Sequence, residues 1–256
     1  MRFGGKKVLI TGGNSGIGLA TAKLFVEEGA KVAITGRNQQ TIDSALALLG
    51  SNAIGFRADV TDSASRKAVF AEVEKRLGKL DVVFANAGVP GQTPVGKASE
   101  ELFEEIIRIN LTSVFFTVQD ALPHVNDGAT FILNGSIVGT LGQAGYAAYA
   151  ASKAGVRAIA RSLAADLSSR GIRVNVVSPG ATKTPIWGRS ERPAEQVAAL
   201  GQKIASQIPL GRWGEAEEIA KTVLFLASSD ASYVQGVELF VDGGLSASPH
   251  GGALNR

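Results

Sequence analysis

The sequence predicts an α/β protein in which a doubly wound parallel sheet of about seven strands carries helices on both faces. Three observations carry that expectation. Short, continuously apolar runs recur along the chain, as in strands buried on both sides. They alternate with stretches of helical period, the pattern of a parallel sheet with crossover helices. A glycine-rich turn joins the first such strand to the first such helix.

The elements follow in order. Residues 7–11 (KVLIT) form a buried strand, and Thr11-Gly12-Gly13-Asn14-Ser15-Gly16-Ile17-Gly18 turns the chain. Leu19, Ala22, Phe25 and Val26 then recur at helical spacing up to Gly29, and residues 31–35 (KVAIT) form the second strand. Strand, glycine turn, helix and strand make a βαβ unit of the Rossmann type. Residues 40–49 read as a helix, 53–57 (AIGFR) as a strand, 63–77 as a helix and 80–85 (LDVVFA) as a strand ending in Asn86-Ala87-Gly88. A long helical region, 100–125, contains Asn110, and the strand 129–133 (ATFIL) leads to Ser136. The helix after Tyr149 extends to about residue 169, with Ile159, Leu163 and Leu167 four apart. Residues 172–177 (IRVNVV) are a strand ended by Ser178-Pro179-Gly180. The stretch 182–210 lacks one clear period except for a candidate helix at 194–208, and loops of that length are often lids. A helix at 215–227 and a last strand at 237–241 complete the fold. The expected organisation is one domain over residues 1–245, with the lid inside it, and a mobile small-polar tail at 246–256.

Composition narrows the chemistry. The chain has no cysteine, which excludes disulfides, thiolate catalysis and cysteine-held metal. Its two histidines, His124 and His250, are far apart, so no metal site is expected. A net charge of +3 without a basic stripe argues against nucleic acid, and no apolar run is long enough to span a membrane. The apolar run near the N-terminus is too short for a secretion signal, and the protein is expected to be cytoplasmic.

Two stretches carry the functional reading. Glycines in the first turn let backbone N–H groups approach a pyrophosphate, and the following helix N-terminus favours negative charge. An acidic residue after the second strand would bind a ribose 2′-hydroxyl, but this chain has Gly36, Arg37 and Asn38 there. A guanidinium suits a 2′-phosphate, so NADP(H) is preferred to NAD(H); the alternative is that Arg37 is a solvated turn residue. Asp59 and Val60 follow the third strand, in position to meet an adenine edge. In the second stretch Tyr149 and Lys153 stand four apart, one helical turn, where an ammonium would lower the phenol pKa. Ser136, just past a strand, is placed to hold the oxygen with which that phenol exchanges a proton. Such a Tyr-x-x-x-Lys pair also arises by chance. Its weight comes from Gly12, Asn86, Ser136 and Pro179 all falling after strands and so converging on one edge.

From Lys6 to about Gly244 the chain resembles the short-chain dehydrogenase/reductase family, in the group with a Tyr-x-x-x-Lys motif. Thr11, Gly12, Gly16 and Gly18 match its T-G-x-x-x-G-x-G turn. Asp59, Asn86-Ala87-Gly88, Asn110, Ser136, Tyr149, Lys153 and Pro179-Gly180 match its later motifs in order. The resemblance implies an oxidoreductase in which Tyr149 is the proton donor or acceptor. Lys153 would tune it and hold the nicotinamide ribose, Ser136 would polarise the substrate oxygen, and Asn110 would anchor a water leading to solvent. Gly12, Asn14, Ser15, Gly16, Ile17, Gly18, Arg37, Asn38, Asp59, Val60, Asn86, Ala87, Gly88, Tyr149, Lys153, Pro179, Gly180, Thr182 and Thr184 would line the cofactor site. Val138, Gln143, Tyr146 and Trp187 would shape the substrate pocket. The chain departs from the family pattern at Ala85, where a second asparagine is common, and at Asn134-Gly135, where serine is frequent. The implied activity is reduction of a small or medium ketone, or oxidation of a secondary alcohol. The 3-oxoacyl-carrier-protein reductases are among the similar enzymes, yet LPHVNDGATF lacks a basic cluster for an acidic carrier. An NAD-linked alcohol dehydrogenase and a non-catalytic NADPH sensor are the alternatives. A homotetramer is implied, its surfaces being the alanine-rich flank after Tyr149 and the last strand.

Overall fold

Seven strands form one parallel sheet in the computed structural model, which describes residues 1–185 and 194–248. They are β1 (Lys7–Ile10), β2 (Lys31–Gly36), β3 (Ala53–Arg57), β4 (Leu80–Ala85), β5 (Val125–Asn134), β6 (Arg173–Pro179) and, after two short strands of a separate ribbon, β9 (Glu238–Val241). That ribbon pairs β7 (Thr182–Lys183) with β8 (Gly214–Glu215). The order in the sheet is β3-β2-β1-β4-β5-β6-β9, so it reverses direction between β1 and β4, where doubly wound sheets bind ligands.

The strands are apolar on both faces because both are covered. Leu9, Val83, Leu133 and Val176 point into one core, against α3 (Ser63–Leu77), α5 (Ser113–Ala121) and α6 (Ala147–Asp166). Their neighbours Val8, Ile10, Phe84 and Ile132 point into the other, against α1 (Gly16–Glu27), α2 (Gln39–Leu49) and α8 (Ala216–Ala227). Arg66 Nε meets Asp120 Oδ2 at 2.9 Å, a buried pair joining α3 to α5, and an Arg66 NH donates to the Val60 carbonyl at 2.7 Å. This fixes the loop after β3 that carries Asp59.

The expected helix over residues 100–125 is not continuous. It divides into α4 (Glu100–Ile107), one π-helical turn (Arg108–Thr112) that contains Asn110, and α5, and Pro123 then ends it. β5 starts at Val125, not 129, because Val125 pairs with Leu80 across a register shift. α6 stops at Asp166, and the chain turns at Gly171 in the left-handed region. The candidate helix of the 182–210 stretch is α7 (Ala194–Gln207), tied to the β8 ribbon by Trp213 Nε1 donating to the Gly201 carbonyl at 2.9 Å. Ser246 N and Ser248 N donate to Asp242 and Gly244; the remainder of the tail, 249–256, lies outside the described residues. Among the described residues no helix is long and apolar enough to cross a membrane, and no cluster suits a metal ion.

Candidate active site

The glycine turn is a cradle that side chains would fill. Gly12 and Gly16 have φ of +64° and +52°, conformations that L side chains rarely adopt. A Cβ on Gly18 would lie 2.3 Å from the Gly12 carbonyl oxygen. Thr11 Oγ1 accepts from both Asn86 N and Ala87 N at 3.0 Å, and Asn86 Nδ2 donates to the carbonyls of Thr11 and Gly12. The ends of β1 and β4 are thereby locked across the switch point. α1 has no acidic residue in its first turn, and Ser15 caps it without using its hydroxyl. Ile17 is half-buried behind this turn, and Gly16 adjoins Thr184, whose Cβ would lie 3.4 Å from a Cβ added there. Gly180 packs on Asp242 with no room for a side chain, and Thr182 Oγ1 donates to the Gly180 carbonyl at 3.1 Å.

Asn14 and Asn38 have partners within the fold. Asn14 Nδ2 donates to Thr41 Oγ1 at 2.7 Å beneath Gly36, and Asn38 Oδ1 caps α2 by accepting from Thr41 N. Beyond them a cavity of about 370 Å³ is lined by Arg37, Arg57, Ala58, Asp59, Asp62 and Ser65. Burial raises the Asp59 pKa, but Thr61 hydrogen bonds and the charges of Arg37 and Arg108 outweigh it and hold the carboxyl below its ordinary value. Arg57 is a residue that sequence reasoning missed. It ends β3 in register with Gly36, so its side chain reaches the cavity beside Arg37. An arginine two residues before the Asp59 motif was the available signal.

At the other end of the site, Ser136, Tyr149 and Lys153 converge with Asn110. The Ser136 side chain acts on the Tyr149 phenol, favouring its ionised form, and Lys153 Nζ lies 5.7 Å from the Tyr149 ring centre. The ammonium donates to the Asn134 carbonyl at 2.7 Å. Asn110 is fully buried and clamps Val89, accepting from its N–H at 2.8 Å and donating to its carbonyl at 2.9 Å. A Cβ on Gly88 would lie 3.0 Å from Asn110 Oδ1 and 3.7 Å from Lys153 Nζ, so glycine lets these groups gather. Of the expected pocket residues, Val138 N donates to Ser136 Oγ, Tyr146 packs edge-on against Tyr149, and Gln143 is exposed. Trp187 lies outside the described residues.

The lowered phenol pKa expected from Lys153 is not what the structure gives. Burial pushes the Tyr149 phenol above its ordinary value; the Ser136 hydrogen bond opposes this and the nearby Tyr146 adds to it. The reason is that an apolar enclosure penalises charge on either partner. The same burial brings Lys153 down to about 8. Below that pH the buried cation destabilises the fold in full. Between about 8 and the ordinary lysine value the unfolded chain binds more protons, so this group's penalty fades as pH rises. Lys153→Met is therefore expected to raise the thermal midpoint at pH 7, with the gain shrinking above pH 8. Melting curves at pH 7 and 9.5 check it, and equal midpoint shifts at both would refute the assignment.

The departures at 134 and 135 have physical reasons. A Cβ on Gly135 would lie 2.2 Å from Ser178 Oγ, which donates to the buried Glu238 carboxylate at 2.7 Å. Asn134 Nδ2 donates to Asn86 Oδ1 at 3.0 Å, joining the cradle to the Lys153 contact. Among the described residues its own Oδ1 is buried without a partner, an acceptor at the C-terminal end of β5. Ala85 is core, facing α3 and α5.

Cradle, uncommitted helix N-terminus and arginine-lined cavity fit a dinucleotide, and the serine, tyrosine and lysine fit proton exchange with an oxygen. Together they define a nicotinamide-dependent oxidoreductase on a Rossmann-type sheet. The model of the family described as "Enoyl-(Acyl carrier protein) reductase" matches residues 12–246. "Oxidoreductase asL5" of Sarocladium schorii is 43% identical over 248 residues, 96% of this chain and 97% of that protein. The 3-oxoacyl-[acyl-carrier-protein] reductase FabG of Salmonella typhimurium is 39% identical over 96% of this chain and 99% of its own. The crystal structure of levodione reductase superposes with a TM-score of 0.90 at 33% identity, covering 96% of this chain and 100% of that one. The chain belongs to the short-chain dehydrogenase/reductase family and is an NAD(P)-dependent oxidoreductase.

Proposed function

We propose that the protein is an NADPH-dependent reductase of small or medium ketones, the reverse reaction being oxidation of a secondary alcohol. The observation that carries this is the cluster of buried Ser136 and Lys153 with half-buried Tyr149 beside the glycine cradle. The bound nicotinamide supplies the hydride that goes to the carbonyl carbon. Ser136 holds the carbonyl oxygen, and Tyr149 gives it the proton that balances the hydride. The Tyr149 phenol is protonated at neutral pH and so can donate to the carbonyl oxygen. Lys153 anchors the ribose and places positive charge beside the phenolate as it forms. The Asn110 amide bonds both the N–H and the carbonyl of Val89, so its part is to hold Gly88 and Val89 against Lys153.

NADPH is favoured over NADH because Arg37 and Arg57 line one cavity, and among the described residues neither guanidinium is held in a side-chain hydrogen bond or ion pair. FabG and levodione reductase are named as reductases, which supports the direction. A free ketone is favoured over a carrier-bound one, since Arg170, a cation beside the 122–128 segment, is occupied by Asp127 at 2.7 Å and by the carbonyls of Leu122 and Val125. The Tyr149–Lys153 spacing weighs against reduction of an enoyl double bond, despite the description of the matching family. We also propose a cytoplasmic homotetramer. Phe240 and Val237 stand exposed at the β9 edge and Ala151 and Ala158 on α6, surfaces suited to a second copy; a monomeric mass in light scattering would sink that assembly.

The test is NADPH and NADH oxidation measured side by side over ketones, ketoesters, quinones and sugars. Turnover of at least one carbonyl with NADPH preferred is the expected result. Tight NADPH binding with no turnover of any panel member would favour a non-catalytic sensor.

A further inference from the structure

We propose that Thr93, in the loop between β4 and α4, is a positioning residue for Tyr149, acting as the N-terminal cap that helix α6 does not supply for itself. The inference rests on the reading of Tyr149 as the proton donor. A helix leaves its first N–H groups without intrahelical partners, and a serine, threonine, aspartate or asparagine at the N-cap normally accepts from one of them. The N-cap of α6 is Tyr146, which makes no side-chain cap bond, and the residues before it, Gln143, Ala144 and Gly145, supply none.

The acceptor comes from a segment more than fifty residues earlier. Thr93 Oγ1 accepts from Ala148 N at 3.1 Å. Thr93 N donates to the Gly145 carbonyl at 2.7 Å, and the adjoining Gln92 Nε2 donates to the Tyr146 hydroxyl at 3.0 Å. Three hydrogen bonds thus hold residues 92–93 against residues 145–148. Ala148 is fully buried and Thr93 is 3% exposed, so water has no access to replace the hydroxyl. The next residue after Ala148 is Tyr149. The loop is also anchored at its start, where Asn110 clamps Val89. Thr93 therefore connects the element that holds Asn110 to the first turn of the helix that carries the phenol.

The consequence is geometric. The phenol must meet both Ser136 and the substrate oxygen, and proton transfer falls steeply with displacement of the donor. Thr93→Val keeps the volume and removes the acceptor, leaving Ala148 N–H buried and unpaired. The first turn of α6 is then expected to fray and Tyr149 to lose its fixed place. Thr93→Ser keeps the acceptor.

The experiment compares the full-length wild type, T93V and T93S by three measurements. These are kcat and KM with NADPH and a ketone that the panel identifies, NADPH affinity by fluorescence titration, and amide hydrogen exchange over residues 146–150. T93V is expected to lose about 10-fold or more in kcat, with NADPH affinity within about twofold, and to exchange faster over that segment. T93S is expected to stay near wild type in all three. Should T93V not fold, T93C, whose thiol is a weak acceptor, is expected to fall between Ser and Val in both kcat and exchange. Wild-type kcat or wild-type exchange in T93V, or in T93C in its place, overturns the proposal, as does a T93S variant that loses as much as T93V. Turnover that survives in Tyr149→Phe would instead overturn the reading of Tyr149 itself, so the two failures are distinguishable.

Discussion

Tyr149→Phe is expected to lower kcat about 10³-fold while leaving NADPH affinity within about twofold, since a positioned general acid contributes roughly 10² to 10⁴. The substitution removes one oxygen and keeps the ring. Ring packing against Tyr146 and the placement of the Lys153 ammonium over the ring are therefore retained, whereas the hydroxyl beside Ser136 is lost. Most of the elements proposed to bind the cofactor, the glycine turn, the locked ends of β1 and β4, and the cavity of Arg37 and Arg57, lie away from Tyr149, and Lys153 keeps its bond to the Asn134 carbonyl. The expected split is thus a loss in kcat with intact binding, measured by steady-state kinetics and fluorescence titration. Turnover within about tenfold of wild type would remove Tyr149 from the chemistry. A parallel loss of cofactor affinity would mean that the hydroxyl is a binding group and not a donor.

Much of this arrangement was legible in the sequence because it rests on local signals. The glycine turn could be read because only glycine fits at Gly12, Gly16 and Gly18, so the residue type reports the backbone and the close approach. Strand positions were legible because both sheet faces are covered, which makes each strand continuously apolar. What escaped were features set by tertiary contact. The π turn at Arg108–Thr112 and the early start of β5 depend on neighbours, Val89 for the first and Leu80 for the second, that no local pattern names. The direction of the Tyr149 shift escaped for the same reason. Four-residue spacing shows that an ammonium is near a phenol, but not that enclosure outweighs it or that the ammonium turns to the Asn134 carbonyl. Thr93 had no signal at all, because a cap delivered from a distant loop leaves no mark at the helix start.

Arg57 shows how a register turns a weak sequence hint into a second charge. In a parallel ladder the residues at the ends of adjacent strands lie about 4.8 Å apart, and Arg57 is paired with Gly36, the residue just before Arg37. Two guanidiniums therefore enter a cavity that also holds Asp59 and Asp62. The aspartates are turned to other tasks, Asp59 to Thr61 and Asp62 to capping α3 at Ser65 N, but their charge still opposes a phosphate. Each guanidinium that meets a 2′-phosphate is expected to contribute about tenfold in affinity. That is the low end for charge-assisted hydrogen bonds, because both arginines are exposed and screened. Arg37→Ala and Arg57→Ala are each expected to weaken NADPH about tenfold, and the double variant about 100-fold or more, since it leaves the two carboxylates unopposed. NADH, which offers a hydroxyl at that position, should change by less than about threefold. Titrations with NADPH, NADH, and the adenosine 2′,5′-bisphosphate and 5′-monophosphate fragments measure this without any substrate, and the NADPH losses should shrink as salt is raised. If Arg37→Ala weakens NADPH and Arg57→Ala does not, one arginine binds the phosphate and the other is a solvated strand end. If both variants lose NADPH and NADH equally, the cavity holds the adenosine by shape and the preference for the phosphorylated cofactor falls.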